Sequence, residues 1–414
     1  MAASWCGDAD YEEGRMRITD VRCFLCSSSN PAGYVAGSAI VRVETDAGVA
    51  GHGETLMGLF CGEVAAAAVH YYRPLLIGAD PSRIGELWQT MFDSSVWWGR
   101  GGAAVSVIGA IETALWDIAG KLAGVPCYRL LTDTPRASVP VYASLGSAPE
   151  DPQQVPPLVE ALVAEGFRGL KLGLQFGNQA GTEFFEPRGD ALLALLDSTL
   201  AAIRRTVGDA FVIGVDGHMG GIPNPIGREE ALAVTQVLER YGVNFFEEPL
   251  SYLDPAGYAW LRARTKVRIA GGESLSLREG FEIFTTMGAL DVLQPDVNFV
   301  GGLGQARAVV RLAEEQGLSV LPHSWCGGPG FLANVHLALS SPTVERLEMG
   351  RELTGLQAAA LRTPIDIRDG LLYAPTAPGL GFDFDAALAE RFPFPPGLAE
   401  RASGLMSVPP AVQE

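Results

Sequence analysis

Positive charge is scarce in this chain: its 414 residues hold 30 lysines and arginines against 48 aspartates and glutamates, a formal charge of −18. Gripping a nucleic-acid backbone takes a cationic face, so nucleic acid is not expected as a partner. Long hydrophobic runs are missing too. No stretch of about 18 or more residues is continuously apolar, and the N-terminal MAASWCGDADYEEGR is acidic where a secretory signal would be basic and then apolar. A cytoplasmic protein with no membrane association is therefore expected. Cysteine is sparse, and Cys6, Cys23, Cys26, Cys61, Cys127 and Cys326 are too scattered for a disulfide framework. Cys23 and Cys26 form one C-x-x-C within the strand-like ITDVRCFLC, with no second pair beside it, and read as core thiols rather than a metal or redox pair. No glycine-rich phosphate fingerprint follows a first strand, which weighs against nucleotide binding.

What is present is material for a large core. Phe occurs 18 times and Trp 7 times in a chain that is 48% hydrophobic, a composition unlike that of disordered chains. The length suggests one large domain and one smaller one. Residues 16–57 alternate apolar and polar positions around SSSNPAG, as antiparallel strands joined by a loop do. From GEVAAAAVHYYRPLLIG to SVIGAIETALWDIAGKLAGVPCYRLL the apolar spacing becomes helical, so an α+β unit spans 16–133. The next part repeats short apolar runs, VPVYASL, GLKLGL, FVIGVD, VNFFEEP, VRIAGGE, DVLQPD, LSVLPHS and VERLEMG, between amphipathic stretches. Eight such runs at intervals of about 25 residues fit a (β/α)8-type barrel over 134–365 better than an open doubly wound sheet. Residues 1–15 read as a disordered extension, and the Pro- and Gly-rich 366–414 as a segment packing back on the first domain.

In such a barrel, chemistry gathers at the C-terminal ends of the strands. There the runs end in Lys171, Asp216, Glu247 or Glu248, Glu273, Asp296, His323 and Glu348. From Asp216 onward, taking Glu247, the spacings are 31, 26, 23, 27 and 25 residues, about one βα unit each. One charged residue at a strand end is commonly a cap or a solvated loop residue. Carboxylates on three consecutive strands repel one another unless a cation sits among them, so Asp216, Glu247 and Glu273 read as hard-oxygen ligands of Mg2+, with Mn2+ as a substitute. Glu247 and Glu248 face opposite ways on a strand, and Glu247 is preferred.

The motifs FFEEPL, AGGESL, LQPDVNFVGGLGQA, LPHSW and GAIETALWDIAGKLAGVP resemble the enolase superfamily, specifically its mandelate racemase/muconate lactonizing enzyme group, over roughly residues 16–385. The resemblance implies an α/β fold, a modified TIM barrel of the (β/α)7β type with an N-terminal α+β capping domain. It also implies abstraction of the proton next to a carboxylate by a base working with Mg2+, as is general for that superfamily. Removing that proton leaves an enediolate, whose developing charge a divalent cation offsets. In the resembled group the base is a seventh-strand histidine oriented by a sixth-strand aspartate, places held here by His323 and Asp296.

Where the racemase-like pattern has Lys-x-Lys on the second strand, this chain has GLKLG, so Gly173 stands at the second base. Two-base racemisation through that lysine is not expected. Lys171 reads either as the group neutralising the substrate carboxylate or as a structural ion pair. In GVDGHMGG, His218 shares side-chain parity with Asp216 and points into the same mouth if the strand stays extended. Galactonate- and mannonate-type sugar-acid dehydratases carry a histidine at this place, and the galactonate type also lacks the second lysine. The combined pattern implies a hydro-lyase acting by β-elimination of water to give a 2-keto-3-deoxy acid, with His218 as acid for the departing 3-hydroxyl. A turn histidine bonded to backbone is the other reading of His218. Glu348 is placed to bond the substrate carboxylate opposite the metal, with Glu345 the competing register. Arg100, in WWGRGG, is a candidate substrate contact or a surface residue, and the capping stretches 27–37 and 53–63 are candidate selectivity loops. His52, His70 and His336 read as structural. The alternatives are a racemase, epimerase or cycloisomerase, and thirdly a non-catalytic binding relative. The expected partner is a small anionic carboxylate, and a homo-oligomer, dimer or octamer, is expected.

Overall fold

A computed structural model describes residues 16–29, 35–177, 184–222, 224–325, 328–351 and 353–394. The proposed extension at 1–15, Cys6, Cys326 and the end of the C-terminal segment lie outside the described residues. The alternating N-terminal stretch forms a three-stranded antiparallel sheet, Ile18–Ser29, Val35–Thr45 and Ala50–Thr55, in sequence order. Helices Gly62–Leu76, Ile84–Ser95 and Ala103–Ala123 follow and bury their apolar faces against it around Val41, Val43, Tyr72, Ile108 and Ile111. By length and composition Ala103–Ala123 is apolar enough to cross a membrane, yet 83% of that window is buried inside the fold, where it serves as a core helix.

All eight later apolar runs become parallel strands: Ser138–Ser144, Gly169–Gly173, Val212–Asp216, Phe245–Glu247, Arg268–Gly271, Val292–Leu293, Ser319–Val320 and Leu347–Gly350. They pair in chain order from the first to the seventh, and the eighth returns to pair with the first. Between the seventh and eighth strands the ladder shrinks to one bridge, Val320 to Val344. Register sets the height of the site, because Gly173 and Glu247 both lie opposite Asp216 on its two neighbouring strands. Below the mouth Tyr142, Phe245, Ala270, Val292 and Leu321 pack together inside the barrel.

The described C-terminal segment touches both parts of the molecule. Leu371–Tyr373 pairs antiparallel with the first barrel strand, while the Phe384 ring meets Phe24 of the capping sheet edge-on at 5.5 Å. The cap is also fastened to the barrel directly. Glu112, in the cap helix, accepts the Leu303 and Gly304 N–H groups at 2.9 and 3.0 Å, capping barrel helix Leu303–Gln316. Burial pushes the Glu112 carboxyl up to about 7 against those hydrogen bonds. Trp88 Nε1 donates to Gly301 O at 2.9 Å, Ser106 Oγ donates to Asn298 O, and Gly330 N–H donates to buried Glu54 at 3.1 Å.

His52 lies within a strand; it is buried, with Nε2 2.9 Å from Phe384 O and Nδ1 facing Asp117. Buried His336 bonds the Tyr128 N–H at 3.1 Å and Leu380 O at 3.2 Å, and His70 is exposed on its helix. Cys23, Cys26, Cys61 and Cys127 are free thiols, and burial raises Cys23 and Cys26 to about 12.

Candidate active site

The strand ends bring Asp216, Glu247 and Glu273 together, with one carboxylate oxygen from each within 4.8 Å of the others. Asp216 and Glu247 close their strands, whereas Glu273 lies two residues past Arg268–Gly271. Asp216 Oδ2 and Glu273 Oε2 are buried yet accept no hydrogen bond of good geometry. Orphaned anionic oxygens facing one another, all hard donors, fit a divalent cation. Burial first, and then the Asp216 charge, drive the Glu247 carboxyl well above the usual carboxylate range. Asp216 goes the other way: burial works against it, but His218 and Lys171 hold it well below that range.

Lys171 stands 3% exposed among these acids. Its Nζ donates to Glu247 Oε1 at 2.6 Å and lies 2.9 Å from both Asp216 Oδ2 and Glu348 Oε1, ion-pair contacts without hydrogen-bond alignment. Burial disfavours its charge, but the three carboxylates outweigh burial and hold the amine protonated. Of the two sequence readings of Lys171, the ion pair is the one present here.

His323 Nδ1 lies 2.8 Å from Asp296 Oδ2, leaving Nε2 as the free nitrogen, 3.7 Å from Glu273 Oε2. Asp296 is held in turn by three donors on Oδ1: Asn298 N–H at 2.9 Å, Asn298 Nδ2 at 2.7 Å and Asn334 Nδ2 at 3.1 Å. This outer ring fixes the carboxylate plane, and through it the imidazole. Burial opposes charge on His323, but Glu273, Asp296 and Glu348 raise its proton affinity well above the ordinary histidine value. Of these three, Glu273 belongs to the triad whose charge a cation would offset.

Glu348 belongs to this group and Glu345 does not. Glu348 is fully buried and accepts the Ser324 N–H at 3.0 Å. Glu345 pairs with Arg268 Nη1 at 2.9 Å and bonds Ser319, at the opposite ends of the strands. His218 does not continue the strand: its φ is +52°, in the left-handed region. Its ring still reaches the mouth, with Nε2 3.2 Å from Asp216 Oδ2 and its side chain 39% exposed. Arg100 is exposed and donates to Val96 O at 3.0 Å, a local contact rather than one with the strand-end acids.

Four participants escaped the reading of the sequence. Gln294 Nε2 donates to Glu247 Oε2 at 2.5 Å, and strand parity with Asp296, two residues on, was a usable signal. Asn298 and Asn334 steady Asp296 from a short helical turn and a neighbouring helix, where no pattern marks them. The Tyr142 hydroxyl is buried beneath the cluster without a hydrogen-bond partner.

Comparison with known proteins gives this geometry a setting. Residues 31–132 match the mandelate racemase/muconate lactonizing enzyme N-terminal domain, and residues 155–388 match the enolase C-terminal domain-like family. The chain is 34% identical over 355 residues to a D-galactonate dehydratase of Ralstonia pickettii, covering 84% of this chain and 89% of that one. It is 32% identical over 357 residues to an arabinonate dehydratase of Saccharolobus solfataricus, covering 85% and 89% respectively. Among solved structures, a 3,6-anhydro-D-galactonate cycloisomerase from Zobellia galactanivorans superposes with a TM-score of 0.79 at 26% identity, covering 91% of this chain and 99% of that one.

Proposed function

The chain belongs to the enolase superfamily, in its mandelate racemase/muconate lactonizing enzyme group, and from that premise we propose that it is a metal-dependent dehydratase of sugar acids. The observation that carries the reading is one constellation: a carboxylate triad, a buried His–Asp dyad facing it, and a histidine beside Gly173 where a second lysine would make a racemase. The names of the relatives at 32–34% identity support the same reaction class.

A cation, Mg2+ in this proposal, held by Asp216, Glu247 and Glu273 supplies the charge that offsets an enediolate. Lys171 binds the substrate carboxylate from the far side, and Glu348 joins it as the protonated acid, since a carboxyl group donates a hydrogen bond to another carboxylate only when it carries a proton. His323 takes the α proton at Nε2, the nitrogen that Asp296 leaves free. His218 delivers a proton to the departing 3-hydroxyl, and water and a 2-keto-3-deoxy acid result. Arg100 is assigned to the surface, because its donor is engaged locally. Free thiols at Cys23, Cys26, Cys61 and Cys127 suit the cytoplasm. Exposed Val64, Tyr71 and Leu75 along one cap helix, with exposed Trp98 nearby, suit a homo-oligomer.

The test is a screen of aldonic and aldaric acids with Mg2+ for 2-keto product, with His323→Asn and His218→Asn alongside. Keto acid from the wild type and none from His323→Asn is the expected result. Equal formation by both would remove the dyad from the reaction. A racemase or epimerase on the same machinery is the second reading: deuterium entering unreacted substrate without keto acid would establish that one instead.

A further inference from the structure

Glu248 is buried, carries an ionisable side chain and takes no part in the triad. Its backbone is held at φ +41°, a region that side-chain-bearing residues rarely occupy. Such a conformation persists only where surrounding contacts over-determine it: the Glu248 N–H donates to Ala270 O at 3.1 Å on the next strand, and two further contacts run to the loop that carries His218. Gly217 N–H donates to Glu247 O at 2.8 Å and Met219 N–H to Glu248 O at 3.1 Å. Gly220 N–H donates to the Glu248 carboxylate at 3.3 Å, and Tyr252 N–H to Gly220 O at 3.2 Å.

The glycines of DGHMGG follow from the same packing. A β-carbon on Gly217 would stand 2.4 Å from Glu248 O, and one on Gly220 would stand 2.2 Å from Glu248 Oε1 and 2.5 Å from Tyr252 Cε2. The loop is thus moulded onto Glu248. On its other side the Glu248 carboxyl is hydrogen-bonded by the Tyr252 hydroxyl, which accepts the Gly272 N–H at 2.5 Å, next to Glu273.

We propose that Glu248 is a positioning residue for His218: its carboxylate and carbonyl clamp residues 217–220 so that the imidazole is held against Asp216 and over Gly173. The proposal rests on His218 being the leaving-group acid, and it predicts that loss of Glu248 harms departure of the 3-hydroxyl and spares removal of the α proton.

The experiment compares Glu248→Ala and Glu248→Gln with the wild type, as full-length Mg2+-loaded protein, on a dehydrated sugar acid and on its 3-deoxy-3-fluoro analogue, whose fluoride leaves without a proton. The expected result is a loss of about 10- to 100-fold in dehydration by Glu248→Ala. Fluoride release stays within about threefold of wild type, and Glu248→Gln recovers part of the loss by keeping an acceptor for Gly220. Equal losses on both substrates, or no loss on either, would overturn the proposal. A second readout is independent of turnover: in histidine-labelled protein, with resonances assigned from His218→Asn and His323→Asn, Glu248→Ala shifts the His218 ring signals and leaves those of His323 in place. An unmoved His218 signal overturns the clamp. A moved signal in a wild type that converts no sugar acid leaves the clamp standing and removes the dehydratase reading alone.

Discussion

The His218 imidazole stands over the bare α-carbon of Gly173: a β-carbon there would lie 3.5 Å from His218 Nδ1 and only 2.1 Å from Gly146 O. The second strand therefore has no room for a side chain at this height, and His218, just past the third strand, occupies the adjoining space. Gly173→Ala is expected to lower stability by about 1–3 kcal/mol through overpacking, read as a fall in melting temperature. Gly173→Lys is expected to be worse and to gain no epimerase activity, measured by formation of the C2 epimer of the substrate. Epimerisation by that variant would show that the backbone makes room.

The dyad predicts a specific defect. In Asp296→Asn, an amide replaces a carboxylate that accepts from two asparagines and faces His323 Nδ1, so one nitrogen must face another donor or the ring must change tautomer. Turnover is expected to fall by about 10²–10⁴ with little change in KM, since the substrate carboxylate is bound elsewhere. A raised KM with unchanged kcat would place Asp296 in binding instead.

Lys171 predicts a trade between an ammonium and a metal ion. Lys171→Met strips a cation shared by three buried acids, and breaking a buried pair costs about 3–5 kcal/mol. The metal-free variant is expected to melt well below the metal-free wild type, and millimolar Mg2+ is expected to raise its melting temperature by more than it raises that of the wild type. Equal shifts in the two proteins would separate the lysine from the cation site.

His336 predicts a pH dependence away from the site. Burial lowers this histidine from the ordinary 6.5 to about 4, so the unfolded chain takes up the proton first. Its contribution to stability is complete above pH 6.5 and is lost as pH falls toward 4, by up to about 3 kcal/mol at about 1.4 kcal/mol per unit. In urea melts at several pH values, the advantage of wild type over His336→Gln, which cannot titrate, is expected to shrink steadily across that window. A constant gap would mean that the histidine does not change charge on unfolding.

Most of the architecture was legible because strand and helix periods are local properties of the chain. Each apolar run from VPVYASL to VERLEMG became a barrel strand, and alternation placed Asp216 and Glu247 at one level. Less of the site was legible, since its remaining geometry is made by residues distant in sequence. The condition that the strand stay extended at His218 is not met, because Glu248 and Tyr252, some thirty residues on, bend the glycine loop around themselves into a left-handed turn. Gln294, Asn298 and Asn334 act through amide hydrogen bonds that leave no periodic trace.

The contact between Glu112 and the start of helix Leu303–Gln316 governs how the molecule can move. A cap helix that supplies the missing acceptors of a barrel helix, with Trp88 and Ser106 bonded to the same stretch, ties the two parts together among the described residues. The cap is expected to act as a fixed roof. Substrate entry and product release then fall to segments much shorter than a domain, and the two parts are expected to unfold as one cooperative body.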